Sequence, residues 1–334
     1  KKIKNPISKS ARVARTLKGK YKLCLTGTPV ENNLEELWSQ FSVINPGMLG
    51  TLNKFQDAFV KPIQKYNNNG AAEHLKKIIY PFVLRRTKDI VAKELPKKTE
   101  ITHFCEMEPE QEKIYNLWRD SIREEILKSI SKVGIKKSGF KVIEGLLRLR
   151  QICNHPVLVK DNYAKKSGKF QEFIEQTEKV LNEGHKVLVF SQFVKMLEII
   201  RTHLDKNKIN YEYLTGSTKD REACVNNFQN NEDIKIFLIS LKAGGFGLNL
   251  TAADYVFHYD PWWNPAVEMQ ATDRTHRIGQ NKNVFVYKFI TKNSVEEKIL
   301  LLQEKKKKLV ENIISSEKSV LKNLSKDDID VLFG

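Results

Sequence analysis

The chain has 334 residues, 40% of them hydrophobic and 29% charged, which is enough for two domains with sizeable cores and unlike a fibrous or wholly disordered polymer. Its formal net charge of +17 favours a polyanionic partner, above all nucleic acid or an acidic membrane surface. No apolar run approaches the roughly 18 to 20 residues that span a bilayer, and no hydrophobic signal core follows Lys1 and Lys2, so a secreted or membrane-spanning protein is not expected. The four cysteines (Cys24, Cys105, Cys153 and Cys224) lie far apart with no Cys-x-x-Cys pair, which points to buried free thiols in a reducing compartment and to no metal site.

Residues 1–22 carry nine basic residues and no acidic one. Tyr21–Leu25 reads as a short buried strand ending in Thr26-Gly27-Thr28-Pro29. Over 31–44, Leu34, Leu37, Trp38, Phe41 and Ile44 recur at helical spacing, and Asn45-Pro46-Gly47 stops that helix. A helical run over 52–60 leads to the loop Asn67-Asn68-Asn69-Gly70, then to the basic Leu84-Arg85-Arg86-Thr87-Lys88, either a phosphate-binding patch or a solvated face. Ile101–Cys105 looks like a strand. An amphipathic helix over 110–133 places Ile114, Leu117, Trp118, Ile122, Ile126 and Ile130 on one side, a loop spans 136–139, and 140–153 is helical up to Pro156.

The second half changes character. Strands over 186–190, 211–214, 234–240, 255–259 and 284–290 alternate with helical stretches near 170–182, 193–206, 218–229 and 266–276. Such alternation predicts an α/β fold with a parallel sheet covered by helices on both faces, and ligands at the carboxyl ends of its strands. Ser294 with Glu297 makes a capping box for a last helix running into Lys305–Lys308.

Four strand-following loops are candidates for chemistry. Leu25-Thr26-Gly27-Thr28-Pro29 is either a phosphate or interdomain contact or a plain tight turn. Ser191-Gln192 and Thr215-Gly216-Ser217-Thr218 offer hydroxyls and backbone amides to phosphate, or simply cap helices. In Ser240-Leu241-Lys242-Ala243-Gly244-Gly245-Phe246-Gly247-Leu248-Asn249, three glycines in four positions let backbone approach a ligand closely. No Gly-x-x-x-x-Gly-Lys-Ser/Thr occurs; the nearest imitation, Ser167-Gly168-Lys169-Phe170, has Tyr163 and Phe170 where the loop needs glycine and a hydroxyl. In Gln270-Ala271-Thr272-Asp273-Arg274-Thr275-His276-Arg277-Ile278-Gly279-Gln280, Arg274 and Arg277 would share one helix face and reach one triphosphate, or form an exposed salt-bridged pair.

Together these blocks resemble the Swi/Snf family of DNA-dependent ATPases within helicase superfamily two. The carrying residues are LTGTPVENNLEELWS (23–39), PFVLRRTKDIVAKELPKK (81–98), LRLRQICNHP (147–156), KVLVFSQF (186–193), YLTGST (213–218), ISLKAGGFGLNLTAAD (239–254), DPWWNP (260–265) and QATDRTHRIGQ (270–280). The short spacers between blocks are similar to those of archaeal or bacterial members. The resemblance implies a RecA-like parallel sheet flanked by helices, with a helical insertion subdomain. It divides the chain into the tail of a first RecA-like lobe (1–45), mainly helical insertions and linker (46–160), a second RecA-like lobe (161–293) and a C-terminal helical extension (294–334). The family's Walker A loop and acidic box have no counterpart here, so the chain is expected to be the C-terminal portion of a translocase and inactive alone.

By the same resemblance, ATP with Mg2+ binds mainly to the first lobe. Arg274 and Arg277 are expected as catalytic arginine fingers, with Gln270, Gly245, Gly247 and Asn249 lining the ATP cleft. Ser191, Gln192, Thr215, Gly216, Ser240, Lys242 and Trp263 are expected to bind double-stranded DNA, Trp263 having a core position as its alternative, and Thr26, Gly27 and Thr28 to couple the lobes. Implied partners are duplex DNA, the N-terminal lobe and DNA-bound proteins, with no membrane. The implied location is cytoplasmic and nucleoid-associated, or nuclear. A non-catalytic nucleic-acid-binding module and a piece of an RNA helicase are the competing interpretations.

Overall fold

The computed structural model describes residues 3–26, 34–66, 68–84, 86, 88–244, 247–263, 265–301 and 332. They form two compact units: the described residues up to 86, and 88–301 with Leu332. The first unit is helical. Ser8 caps the helix Lys9–Thr16 by accepting from the Ala11 amide, and Leu34, Leu37 and Phe41, one face of the helix Leu34–Ile44, pack with Leu49, Phe55, Ile63, Leu75 and Ile79. The helical run expected over 52–60 continues through a π-helical segment, Gln56–Val60, into Lys61–Tyr66, and Asn68 caps Asn69–Ile79.

The strand expected at Tyr21–Leu25 is absent. Those residues have no regular structure, and Leu23 and Leu25 are each 84% exposed. An extended run needs a neighbour to bond with, and none pairs with this one among the described residues.

The second unit is built on one all-parallel sheet of six strands in the order β1-β6-β5-β2-β4-β3. The strands are β1 (Lys98–Cys105), β2 (Val187–Ser191), β3 (Tyr211–Leu214), β4 (Ile236–Ser240), β5 (Tyr255–His258) and β6 (Val284–Thr291). Both faces are buried, so the runs are continuously apolar rather than alternating. Leu188, Phe190, Phe237, Ile239, Val256 and Val286 fill one core, and Val187, Val189, Ile236, Leu238, Phe257 and Phe289 fill the other. This is the α/β, RecA-like arrangement expected from the sequence.

One expected strand holds and joins the main sheet, and two local expectations change. β1 comes from the mainly helical stretch but pairs with β6 through the full register Lys98↔Val284 to Cys105↔Thr291, closing one edge of the sheet. The loop expected at 136–139 shrinks to Gly134 between the helices Pro109–Val133 and Ile135–Asn154; its φ of +77° favours glycine, and its amide closes the first helix on Ile130. On the first of these helices Tyr115, Ile122 and Ile126 are buried, whereas Leu117 is 72% exposed, so the buried stripe is rotated from the expected one.

The last helix begins after Ser294, but its capping box is shifted by one residue. The Glu297 carboxylate accepts from the Asn293 amide at 2.7 Å, and Ser294 Oγ accepts from the Glu296 amide at 3.1 Å. Lys305–Lys308 lie outside the described residues. All four cysteines are free thiols, and burial pushes those of Cys105 and Cys153 up to about 12. No helix among the described residues is long and apolar enough to cross a membrane.

Candidate functional site

The carboxyl ends of β2, β3, β4 and β5 deliver Ser191-Gln192, Thr215-Gly216, Ser240-Lys242 and Asp260–Trp263. Exposure sorts them into two groups. Gly216 and Lys242 are exposed, and Gln192 and Trp263 are half-buried. Ser191, Thr215 and Ser240 are buried, at 1%, 3% and 4% exposure. Thr215 shapes its own turn: its hydroxyl meets Ser217 Oγ at 2.9 Å, while its amide donates to Thr218 Oγ1 at 2.9 Å. The Ser240 carbonyl accepts the amides of Ala243 and Gly244 at 2.9 and 3.0 Å. Gly244 must be glycine, because a Cβ there would lie 2.9 Å from the Phe190 ring.

Ser191 turns inward to Asp260. Its hydroxyl donates to Asp260 Oδ1, and the Gln192 amide donates to both carboxylate oxygens at 3.3 Å. Asp260 also faces Arg150, whose Nη2 lies 3.6 Å from Oδ2 and donates to the Pro261 carbonyl. The Arg150 guanidinium sits 5.4 Å from the Trp263 ring centroid and 5.7 Å from that of Phe193, within cation–π range. Burial pushes the Asp260 carboxyl above its usual range, against the pull of Arg150 and the Ser191 hydroxyl. Burial likewise lowers the Arg150 guanidinium, with Asp260 opposing. On the next residue the Trp262 amide donates to Glu268 Oε1 at 2.6 Å, and Glu268 pairs with Lys288 at 3.3 Å.

The arginine block behaves differently. The helix expected over 266–276 ends at Thr272, so Arg274 and Arg277 sit on successive turns rather than on one helix face. The carbonyls that would continue the helix have other partners: Arg274 O accepts from the Leu250 amide at 3.0 Å, and Thr275 O from Gln280 Nε2 at 3.3 Å. Gln280 Nε2 also reaches the carbonyls of Ala253 at 2.8 Å and Thr251 at 3.1 Å. The arginines remain neighbours: burial first, then the Arg277 charge, lowers the half-buried Arg274 guanidinium. Arg277 is exposed, its side chain held by a 3.4 Å bond from Nη1 to the Leu248 carbonyl, and no carboxylate among the described residues forms an ion pair with it.

Lys88, read from sequence as part of a basic patch, instead anchors this block. Its Nζ lies 2.6 Å from Asp273 Oδ1 and donates to the His276 carbonyl at 2.5 Å, while His276 Nε2 meets the Pro96 carbonyl at 2.8 Å. Gln270 is half-buried, and Gly247 and Asn249 are exposed. Thr26 is exposed and belongs to the first unit. Gly27, Thr28, Arg85 and Gly245 lie outside the described residues.

Sequence reasoning assigned no role to Arg150 or Asp260. The signal was an arginine among Leu146, Leu149, Ile152 and Cys153, all on the buried face of one helix. Another buried ion pair, Lys169 with Glu296, also escaped it; there Lys169 Nζ reaches the Tyr259 carbonyl at 3.4 Å and Asn154 Oδ1 at 3.3 Å. His103, Cys105 and Glu172 bring potential metal-ligand atoms within 4.8 Å of one another, with His103 Nε2 bonded to Glu172 Oε2 at 2.6 Å.

Comparison with known proteins follows the same blocks. The SNF2-related domain matches residues 1–158, and the helicase conserved C-terminal domain matches 168–279. The chain is 39% identical over 341 residues to the putative ATP-dependent helicase/translocase YwqA of Bacillus subtilis, covering 99% of this chain and 36% of that protein. It is 38% identical over 336 residues to an uncharacterised ATP-dependent helicase of Mycoplasma genitalium, MG018, covering 99% of this chain and 31% of the relative. The chain therefore spans about a third of the length of these curated relatives. Among solved structures, the Sulfolobus solfataricus SWI2/SNF2 ATPase core in complex with double-stranded DNA is similar with a TM-score of 0.61 and 39% identity, covering 99% of this chain and 70% of that one. Sequence blocks, the six-stranded parallel sheet and these similarities agree: the chain belongs to the Swi2/Snf2 family.

Proposed function

We propose that this chain is the C-terminal portion of an ATP-dependent double-stranded DNA translocase that remodels protein–DNA complexes, supplying arginine fingers and backbone contacts to DNA. The observation that carries this reading is the contrast at Arg277: an exposed guanidinium beside Arg274, on turns tied down by Gln280 and Lys88, with no ion-pair carboxylate among the described residues. A fixed backbone with a cation bonded to one carbonyl and paired with no carboxylate among the described residues suits an anion that arrives from elsewhere.

ATP is the substrate. Arg274 and Arg277 neutralise charge developing on its γ-phosphoryl group, with Gln270, Gly245, Gly247 and Asn249 beside it. The Walker A and acidic-box residues, and with them Mg2+, belong to an N-terminal lobe; this chain contributes cations to the site and hydrolyses no ATP alone. The chain lobes of the family map here as the tail of the first over 1–45, insertions and linker over 46–160, the second lobe over 161–293, and the extension 294–334.

Duplex DNA is held by its phosphates. The Gln192 loop, the Thr215-Gly216 turn, Ser240 and Lys242 meet the backbone and Trp263 touches the duplex, while the buried Ser191 hydroxyl, bonded to Asp260, holds its own loop in place. Such contacts are independent of sequence and weaken steeply with salt. Thr26, Gly27 and Thr28 couple the DNA grip to the nucleotide. The motor works on DNA-bound proteins in the cytoplasm, at the nucleoid.

The test is ATP hydrolysis by the complete motor with duplex DNA, single-stranded DNA or RNA as stimulant. Stimulation by duplex DNA is expected; stimulation by RNA alone overturns the reading in favour of an RNA helicase, and no hydrolysis under any condition favours a non-catalytic binding module.

A further inference from the structure

Arg150 occupies a place that fold stability alone does not require. It is 1% exposed on a helix face otherwise lined by Leu146, Leu149, Ile152 and Cys153, where an apolar residue of similar volume would pack. A buried ion pair is often no more stabilising than the hydrophobic residues that could replace it, so its retention needs another explanation. The contacts of Arg150 supply one. One guanidinium touches the Asp260 carboxylate, the Pro261 carbonyl and the rings of Phe193 and Trp263. Through Asp260 it also reaches the Ser191 hydroxyl and the Gln192 amide. The loops after β2 and β5 are thus joined through a single cation delivered by the preceding helix.

We propose that Arg150 is a positioning residue for the DNA grip, setting the Trp263 ring and the Gln192 loop in the orientation in which they meet the duplex. The proposal rests on the reading above that these loops face DNA. The planar guanidinium is suited to this task, since it can lie between two rings while its edge bonds a carboxylate and a carbonyl. An ammonium at the same site would keep the charge and lose the plane. Asp260 then serves as a hub that binds the cation on one side and the Ser191–Gln192 turn on the other.

The experiment uses the full 334-residue chain and a fluorescein-labelled DNA duplex, with affinity read by anisotropy and folding by thermal unfolding. The key variant is R150M/D260N, which removes the charge pair, keeps the volume and leaves an amide for Ser191 and Gln192. It is expected to keep a midpoint within a few degrees of the wild type and to bind duplex about tenfold more weakly, with W263A adding little on top of it because both changes remove the same contact. R150K, which retains the charge, is the second probe should the double variant fail to fold; it is expected to weaken binding without lowering the midpoint comparably. K242E separates this proposal from the reading beneath it. If K242E binds like the wild type, the loops do not face DNA and both ideas fall. If K242E binds weakly while R150M/D260N and R150K bind like the wild type, or if the effects of R150M/D260N and W263A simply add, the positioning role alone is overturned.

Discussion

The turn Asp260–Trp263 and the turns carrying Arg274 and Arg277 are both short irregular segments on the same sheet, yet they are built in opposite ways. In the first, three polar groups are held by buried partners: the Asp260 carboxylate by Arg150, Ser191 and Gln192, the Pro261 carbonyl by Arg150, and the Trp262 amide by Glu268. In the second, the backbone is tied through Gln280, Leu250 and Lys88, but Arg277 points to solvent. Holding and acting are divided here. Groups that position loops are buried in pairs, whereas the group proposed to meet phosphate is exposed and has no ion partner among the described residues.

The contrast is open to attack from the locked side first. Lys169 and Glu296 form a fully buried ion pair beside Asn154 and Tyr259. K169M would leave the carboxylate uncompensated, so a loss of about 3–5 kcal/mol is expected in denaturant unfolding, most of it recovered in K169M/E296Q. Equal losses in the single and double variants would show that the pair does not act as a unit.

An effect of similar total size, spread over several pH units, is expected from acidification. His258 is buried against Phe190 and bonded to Thr272 Oγ1 at 3.0 Å; burial first, then the Lys288 charge, lowers its imidazole from 6.5 to about 3. Between those values the unfolded chain binds a proton that the folded chain refuses. This group's contribution to stability is therefore intact above 6.5 and falls as the pH drops towards 3, by about 1.4 kcal/mol per unit. H258Q should flatten the acid limb of stability against pH by about one proton, and an unchanged limb would refute the assignment.

On the open side, stability effects shrink. The Lys88–Asp273 pair is about one-third exposed at each end, so K88A should cost about 0.5 kcal/mol in the unfolding free energy. In the complete motor it should lower ATP turnover more than that figure suggests, because the same ammonium holds the backbone between the two arginines. Normal turnover in K88A would show that the tether is dispensable.

Much of the fold was legible in the sequence, for identifiable reasons. Strands buried on both faces read as short apolar runs such as Val187–Phe190, and the intervening helices kept their spacing. The misses were non-local. Whether Ile101–Cys105 joins the main sheet depends on β6, far along the chain, and whether Tyr21–Leu25 forms a strand depends on having a neighbour at all. Of the site, the loops were legible because they follow strands, but the direction of each side chain was not. Ser191 looks like any phosphate-binding hydroxyl until Asp260 is beside it, and Arg150 looks like a surface residue until the helix turns it inward. Arg274 and Arg277 match helical spacing, yet bonds from Leu250 and Gln280 end the helix before them.

The most direct test of the division between holding and acting is R277A in the complete motor, with duplex-stimulated ATP turnover, duplex affinity and unfolding free energy measured on the same preparation. Turnover should fall by about 10³-fold or more, with affinity nearly unchanged and stability within about 0.5 kcal/mol of the wild type. Wild-type turnover in R277A, or a loss explained by unfolding, would contradict the role given to this arginine.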